Sequence, residues 1–418
     1  MKIYLEGPVS VVPKAEVRIT GSKSESNRLL LLQALFPQLE IRNLSNADDV
    51  QVMSKGLKAH SGTVDIHHAG TAMRFLTAFF ATQEGREATL TGSSRMKERP
   101  IKVLVDALNE LGADISYLGN TGYPPLRIKG RKLDKHKVSL PANISSQYIS
   151  ALLLVAPGIP DGLELELLGE ITSVPYIRMT LSLLESLGIE TEFTGNRIRV
   201  KPKESIDPVT LRVESDWSSA SYYYSIVALC PAGTQVKLSS YRRDSLQGDS
   251  ILAEVYRNFG VKSRFEEPFL HLEKVPLSEN DIPSSPEKIL ELDLADAPDI
   301  AQTLAVTCFG LGMGCRLSGL HTLKIKETDR LEALRAELTK LGASIRVSDK
   351  HLELDPGGKI IKDVSISTYN DHRMAMAFAP LALRTGLYIE DAGVVSKSYP
   401  DFWEDLGKLN FRIRTEGQ

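Results

Sequence analysis

Basic residues in this chain gather where apolar runs begin. Lys23 and Arg28 lie in Gly21-Ser22-Lys23-Ser24-Glu25-Ser26-Asn27-Arg28, directly ahead of the run 29–35. Arg74 closes Ala69-Gly70-Thr71-Ala72-Met73-Arg74, ahead of 75–81. His372 and Arg373 close Asn370-Asp371-His372-Arg373, ahead of 374–383. Three similar clusters precede the apolar runs 148–156, 221–229 and 300–309; they are Asn143-Ile144-Ser145-Ser146-Gln147, Ser215-Asp216-Trp217-Ser218-Ser219-Ala220 and Ala297-Pro298-Asp299. A helix start exposes unpaired N–H groups and a partial positive charge. One polar residue there is ordinarily an N-cap. Six such starts with cations interleaved point to shared anion binding. Three more cationic clusters, 95–100, 324–330 and 396–401, precede amphipathic segments. Lys and Arg at a helix N-terminus oppose the dipole, so they cost stability unless an anion is shared.

The elements that must position these residues repeat. The six starts lie roughly 50 to 85 residues apart, about six units of 70. Each unit holds one nearly all-apolar helix, predicted to be buried, and a second two-faced helix covering it. The second helix ends in Leu108-Asn109-Glu110-Leu111-Gly112, Leu184-Glu185-Ser186-Leu187-Gly188, Tyr256-Arg257-Asn258-Phe259-Gly260 and Leu338-Thr339-Lys340-Leu341-Gly342, with weaker copies at 50–59 and 402–409. A Gly just past the last turn is a C-terminal signal. Short alternating runs follow at 114–118, 189–193 and 344–347, which read as strands. The predicted fold is α/β (α+β type), with two lobes of three units each. Lobe one spans 21–215, and 1–20 with 216–418 form the second. If three buried helices point the same way in each lobe, the cleft between lobes becomes an anion site.

Composition sets the bounds. The chain has 418 residues, 42% hydrophobic and 25% charged, as in an ordinary soluble globular protein. Its 50 basic and 53 acidic side chains give a net charge of −3, which supports neither general nucleic-acid binding nor membrane-surface binding. Cys230, Cys308 and Cys315 form no CxxC pair and read as buried thiols of a reducing compartment. The eight His are scattered, so no metal site is expected. The N-terminus has no apolar signal region, and the run 374–383 is about half a membrane span. A cytosolic protein is expected.

Gly21-Ser22-Lys23-Ser24…Asn27-Arg28, Gly70-Thr71-Ala72-Met73-Arg74, Arg95-Met96-Lys97-Glu98-Arg99-Pro100, Ser145-Ser146-Gln147, Lys326-Glu327-Thr328-Asp329-Arg330 and Asn370-Asp371-His372-Arg373-Met374-Ala375 occur in this order. Together they resemble the 5-enolpyruvylshikimate-3-phosphate synthase family over nearly the whole chain. The resemblance implies two lobes of three βαβαββ-type units. It implies transfer of the enolpyruvyl group of phosphoenolpyruvate to the 5-hydroxyl of shikimate 3-phosphate, with phosphate released and no metal or organic cofactor. Lys23, Gly70, Arg99, Gln147, Arg330, Arg373 and Lys397 would hold phosphoenolpyruvate. Ser24, Arg28, Ser145, Ser146, Gln147, Ser173, Tyr176, Asp299 and Lys326 would hold shikimate 3-phosphate. Asp299 would act as base at the hydroxyl and Glu327 as proton donor to the methylene, assisted by Lys23.

The chain departs from the family's pattern at His68, where Asn is usual, at Thr322, where some members have Asn, and at Phe75, often Pro. These changes sit at the phosphoenolpyruvate end and remove no charge that the chemistry needs. His372 stands beside the same end. A rival with the same fold is the UDP-N-acetylglucosamine enolpyruvyl transferase family, whose mobile loop commonly carries a Cys; 95–100 has none. A non-catalytic anion-binding paralogue is the rival of another class. Partners are small molecules, with no nucleic acid and no membrane. Each lobe should carry half of the cationic set, so the empty form should repel itself open, and closure on ligand by a hinge near Gly21 and Glu214 suggests a working monomer.

Overall fold

The computed structural model describes residues 1–8, 14–142, 145–169, 171, 174–276 and 289–416. The chain forms two compact units, Gly21–Val213 and the pair Met1–Thr20 with Glu214–Gln418.

In the unit Gly21–Val213, three helices form the interior: Lys23–Leu35, Gly70–Thr82 and Ser146–Val155. They pack against one another. Every residue from 70 to 81 is buried, as a helix apolar on all sides must be. Asp48–Lys58, Lys102–Glu110 and Val174–Ser186 lie over them and bury one face each. Lys102–Glu110 buries Leu104, Val105, Ala107 and Leu108, at i, i+1, i+3 and i+4 spacing.

The other unit repeats the plan with helices Trp217–Leu229, Ala301–Gly310 and His372–Phe378. Arg330–Lys340 and Phe402–Lys408 are among its two-faced helices. Two segments differ from the sequence expectation. The run 374–383 changes at Ala379 to a 3₁₀ helix, Ala379–Leu383, because Pro380 supplies no N–H for an α-helical bond. The segment 248–259 is a 3₁₀ turn, one α turn and another 3₁₀ turn, where a continuous helix was expected. A 3₁₀ turn brings residues i and i+3 to one side. This lets the buried rings of Tyr256 and Phe259 meet edge-on, with centroids 5.1 Å apart.

Among the described residues, five four-stranded sheets each hold one parallel pair and two antiparallel pairs, and in four of them the antiparallel edge is a hairpin. In one, Ser61–Asp65 runs parallel to Glu87–Thr91, which pairs antiparallel with Leu126–Lys129 and so with Asp114–Tyr117. A buried helix joins the parallel strands, as the crossover requires. Residues 1–20 carry two strands of the unit that contains Glu214–Gln418. Lys2–Glu6 lies between Leu387–Ile389 and Arg412–Glu416, and Lys14–Val17 runs parallel to Gln235–Ser239. Among the described residues no helix is long and apolar enough to cross a membrane.

Candidate functional site

Polar residues meet at the N-terminal ends of the buried helices in each unit. In Gly21–Val213, Ser22 caps the first helix and Lys23 opens it. The Lys23 ammonium lies 3.5 Å from Asp49, at the start of Asp48–Lys58. Arg28 is 2% exposed. It donates to the Ser24 carbonyl at 2.9 Å, the Thr180 hydroxyl at 2.8 Å and the Ser150 hydroxyl at 2.9 Å. Its guanidinium lies 5.5 Å from the Phe75 ring centre and 5.8 Å from that of Tyr176. Phe75, one of the departures from the family's pattern, thus gives Arg28 a ring face. Burial pushes the Arg28 guanidinium down to about 10.

Ser145 caps the third helix by accepting from the Gln147 N–H, and Gln147 Nε2 donates to Thr71 Oγ1 at 3.1 Å. That bond joins the third helix to the second. The second helix has no side-chain cap. Arg99 fills the space beside its first residue: a Cβ on Gly70 would stand 2.5 Å from Arg99 Nη1. Arg74 holds the segment bearing Arg99, donating to the Gly70 carbonyl at 3.1 Å and the Pro100 carbonyl at 2.9 Å. His68 is half-buried in the turn before Gly70. Ser146 is buried, and Ser173 lies outside the described residues. Gly70→Ala is expected to push the Arg99 guanidinium aside, because the methyl would overlap it. If Arg99 binds an anionic substrate, a several-fold rise in its KM is expected, with Tm nearly unchanged; steady-state kinetics and a melt check both.

In the other unit Arg330 is the centre. It is 2% exposed, and three carboxylates surround its guanidinium: Nε donates to Asp371 at 2.7 Å, Nη1 to Asp299 at 2.8 Å and Nη2 to Glu327 at 2.8 Å. Asp299 also faces the Lys326 ammonium at 3.6 Å and Arg373 Nη2 at 3.3 Å. Burial alone would push the Asp299 carboxyl up, but Arg373, Lys326 and Arg330 outweigh it and hold it well below the usual carboxylate range. Burial pushes the Lys326 ammonium down. Asp371 also caps the last buried helix, accepting from the Arg373 N–H at 2.9 Å. His372 is buried in that first turn, and the buried Thr322 hydroxyl finds no hydrogen-bond partner among the described residues.

Lys397 donates to the Asn370 carbonyl at 2.7 Å and its side-chain oxygen at 3.2 Å. Asn370 and Tyr369 both have positive φ, 61° and 52°. Two successive non-glycine residues in that region store strain. The buried Glu337 carboxylate anchors the turn by accepting from the Tyr369 hydroxyl at 2.6 Å and the Ser367 N–H at 3.2 Å.

These contacts correct one expectation. Lys326, Arg330, Arg373 and Lys397 were to need a bound anion for compensation and to repel one another without it. Asp299, Glu327, Asp371 and Asp249 stand among them. Arg330, Arg373 and Lys326 thus meet carboxylates without a bound anion, while Lys397 is held by Asn370. The reason at Asp371 is local: it caps the last buried helix, and the same carboxylate serves the Arg330 guanidinium.

The family model described as EPSP synthase (3-phosphoshikimate 1-carboxyvinyltransferase) matches residues 58–406. The chain belongs to this family. A relative from Bacteroides fragilis named 3-phosphoshikimate 1-carboxyvinyltransferase is 44% identical over 99% of each chain. One of the same name from Histophilus somni is 36% identical over 96% of this chain and 98% of its own. The EPSP synthase from Acinetobacter baumannii has a TM-score of 0.77 at 19% identity, covering all of both chains. The enolpyruvyl transferase NikO from Streptomyces tendae has a TM-score of 0.74 at 14% identity, over 99% and 98%. These two structures share the EPSP synthase fold seen here. Sequence reasoning missed Asp49, Ser218, Asp249 and Asp371 as partners of the site's cations. Each sits at or beside a helix start, where an acid or hydroxyl has a sufficient local reason to be.

Proposed function

We propose that the chain transfers the enolpyruvyl group of phosphoenolpyruvate to the 5-hydroxyl of shikimate 3-phosphate and releases phosphate. It is a transferase of the shikimate route to chorismate and the aromatic amino acids. The observation that carries this reading is Asp299, ionised and held by Lys326, Arg330 and Arg373, with Glu327 on the same guanidinium. That is an acid–base pair set among the cations that a phosphate and a carboxylate require.

In the addition step, Glu327 gives a proton to the methylene carbon of phosphoenolpyruvate. The shikimate oxygen bonds to the adjacent carbon, and Asp299 takes the hydroxyl proton. In the elimination step, the bond from that carbon to the phosphate oxygen breaks, the new methyl returns its proton to Glu327, and the proton held by Asp299 passes to the leaving phosphate. Asp299 is a weak base while three cations hold it. Anionic substrates compete for those cations, and its basicity rises as they leave. The reaction would therefore begin only in the loaded site.

In this unit Arg330, Arg373 and Lys397 would hold phosphoenolpyruvate, and Lys326 would contact shikimate 3-phosphate. In Gly21–Val213, Lys23, Gly70, Arg99 and Gln147 would serve phosphoenolpyruvate, and Ser24, Ser145, Ser146, Ser173 and Tyr176 shikimate 3-phosphate. Arg28 would also contact shikimate 3-phosphate, while four hydrogen bonds to Thr180, Ser24, Ser150 and Tyr176 hold it in place. Phosphate release from phosphoenolpyruvate tests the reading, with shikimate 3-phosphate and UDP-N-acetylglucosamine as parallel acceptors. Release with shikimate 3-phosphate alone is expected. Release with the nucleotide sugar alone would overturn the acceptor, and silence with both would leave a binding protein.

A further inference from the structure

The broken segment that begins at Gly248–Ile251 carries an acid that the reaction above leaves unused. Asp249 is 3% exposed. One of its oxygens accepts from the Ser218 hydroxyl. Ser218 Oγ accepts in turn from Arg373 Nη2 at 3.2 Å. On its other side, Arg373 Nη2 lies 3.3 Å from Asp299 Oδ2, and Nη1 donates to the Asp299 carbonyl at 3.1 Å. The guanidinium is held between two carboxylates, one directly and one through a hydroxyl. Asp249 Oδ1 has no hydrogen-bond partner among the described residues. The segment is fixed in place: Gln247 accepts from the Trp217 N–H at 3.0 Å and donates to the Ser215 carbonyl at 2.9 Å.

We propose that Asp249 is the proton-accepting counter-charge of Arg373, a positioning residue that is ionised while Arg373 holds no ligand and protonated once an anion binds there. This rests on the reading of Arg373 as an anchor for an anionic substrate. An anion on Arg373 adds negative charge to a guanidinium that two carboxylates already share. Asp299 is compensated by three cations and stays ionised. Asp249 touches no cation directly among the described residues, and half of its carboxylate is bare, so it is the acid that yields.

The groups facing it act in both senses. Burial pushes the Asp249 carboxyl up to about 6, aided by Asp299 from the turn Pro298–Ile300 and by Asp216 at the start of the Trp217–Leu229 helix. Arg373 from the His372–Phe378 helix and the Ser218 hydroxyl oppose this. An anion on Arg373 would push it up further and protonate it at neutral pH, with each tenfold rise in proton affinity matched by a tenfold change in anion affinity. The charge of the set would then stay near balance as a multiply charged ligand enters.

Asp249→Asn carries the neutral charge at every pH. The KM for phosphoenolpyruvate, at saturating shikimate 3-phosphate, is to be measured for both proteins from pH 5 to 8.5. The ratio of the two cancels the ligand's own titration. Equal values are expected near pH 5, with the wild type about tenfold weaker at pH 8. A ratio that does not change with pH, or weaker binding by the variant at pH 8, would overturn the inference. Ser218→Ala is a second variant in case the first misfolds. It removes the donor that favours the ionised form, so the pH at which KM begins to climb should move upward; an unmoved profile counts against the proposal. Thermal protection by inorganic sulfate, which keeps its charge across this range, needs no turnover. Stronger protection of Asp249→Asn at pH 8 and equal protection at pH 5 are expected. Equal protection at both would sink the inference even in an active enzyme. Absence of turnover in the wild type would instead count against the proposed function.

Discussion

Asp299→Asn should lower kcat by on the order of 10²- to 10⁴-fold, the usual contribution of a positioned acid or base. The KM for phosphoenolpyruvate should stay level or fall. The carboxylate now competes with substrate anions for Lys326, Arg330 and Arg373, and an amide competes less. A base that also served only to hold substrate would show the reverse, a raised KM at preserved kcat. Glu327→Gln is the companion. It should lose turnover as well, since an amide has no proton to give the methylene carbon. Steady-state kinetics with each substrate varied separates the cases. Near-normal turnover in both variants would refute the assignment of the proton carriers.

Arg330→Ala should destabilise its unit by about 3–5 kcal/mol, the cost of stranding buried charge by removing its partner. Asp371 would be left fully buried, and Asp299 and Glu327 would lose their shortest ion-pair contacts. Arg330→Lys should recover only part of this. A single ammonium cannot span three carboxylates, whereas the guanidinium reaches Asp371, Asp299 and Glu327 in one plane. Both tryptophans, Trp217 and Trp403, lie in the unit containing Glu214–Gln418. Tryptophan fluorescence during urea unfolding therefore reports this unit. A loss below about 1 kcal/mol would mean that the carboxylates find water or other partners without the arginine.

Much of this arrangement is legible in the residues. The buried helices announce themselves because a run such as 70–81 has no polar face to give to water. The Gly residues at 112, 188, 260 and 342 mark helix ends, and all four adopt positive φ. Lys326, Arg330 and Arg373 stand out because cations at helix starts need explaining. Their partners do not. Asp371 is a sufficient N-cap for Arg373 and Asp49 a sufficient first-turn acid, so neither raises a question until a guanidinium or ammonium is seen against it. Asp249 hides for another reason. It lies where an expected helix is broken into 3₁₀ turns, and the spacing that places it beside Ser218 is not helical. The strained turn at Tyr369 and Asn370 is also silent in the sequence, since neither residue demands a positive φ. Only the anchors on Glu337 and Lys397 show why it is held.

The strand Lys2–Glu6 has a consequence for how the chain comes into being. Ile3 sits opposite Ile389 on one side and Thr415 on the other. A ribosome that has made this strand must finish nearly the whole chain before its partners exist. The stretch Gly21–Val213, by contrast, contains all the strands it pairs with, down to Val209–Arg212 beside Leu39–Arg42. It can close while synthesis continues. That strand therefore waits long for its partners, as an unpaired β segment tethered to a folded insert, and sequence-distant pairing of this kind is slow and open to aggregation. A nascent chain of this protein has its greatest need of protection at the strand Lys2–Glu6.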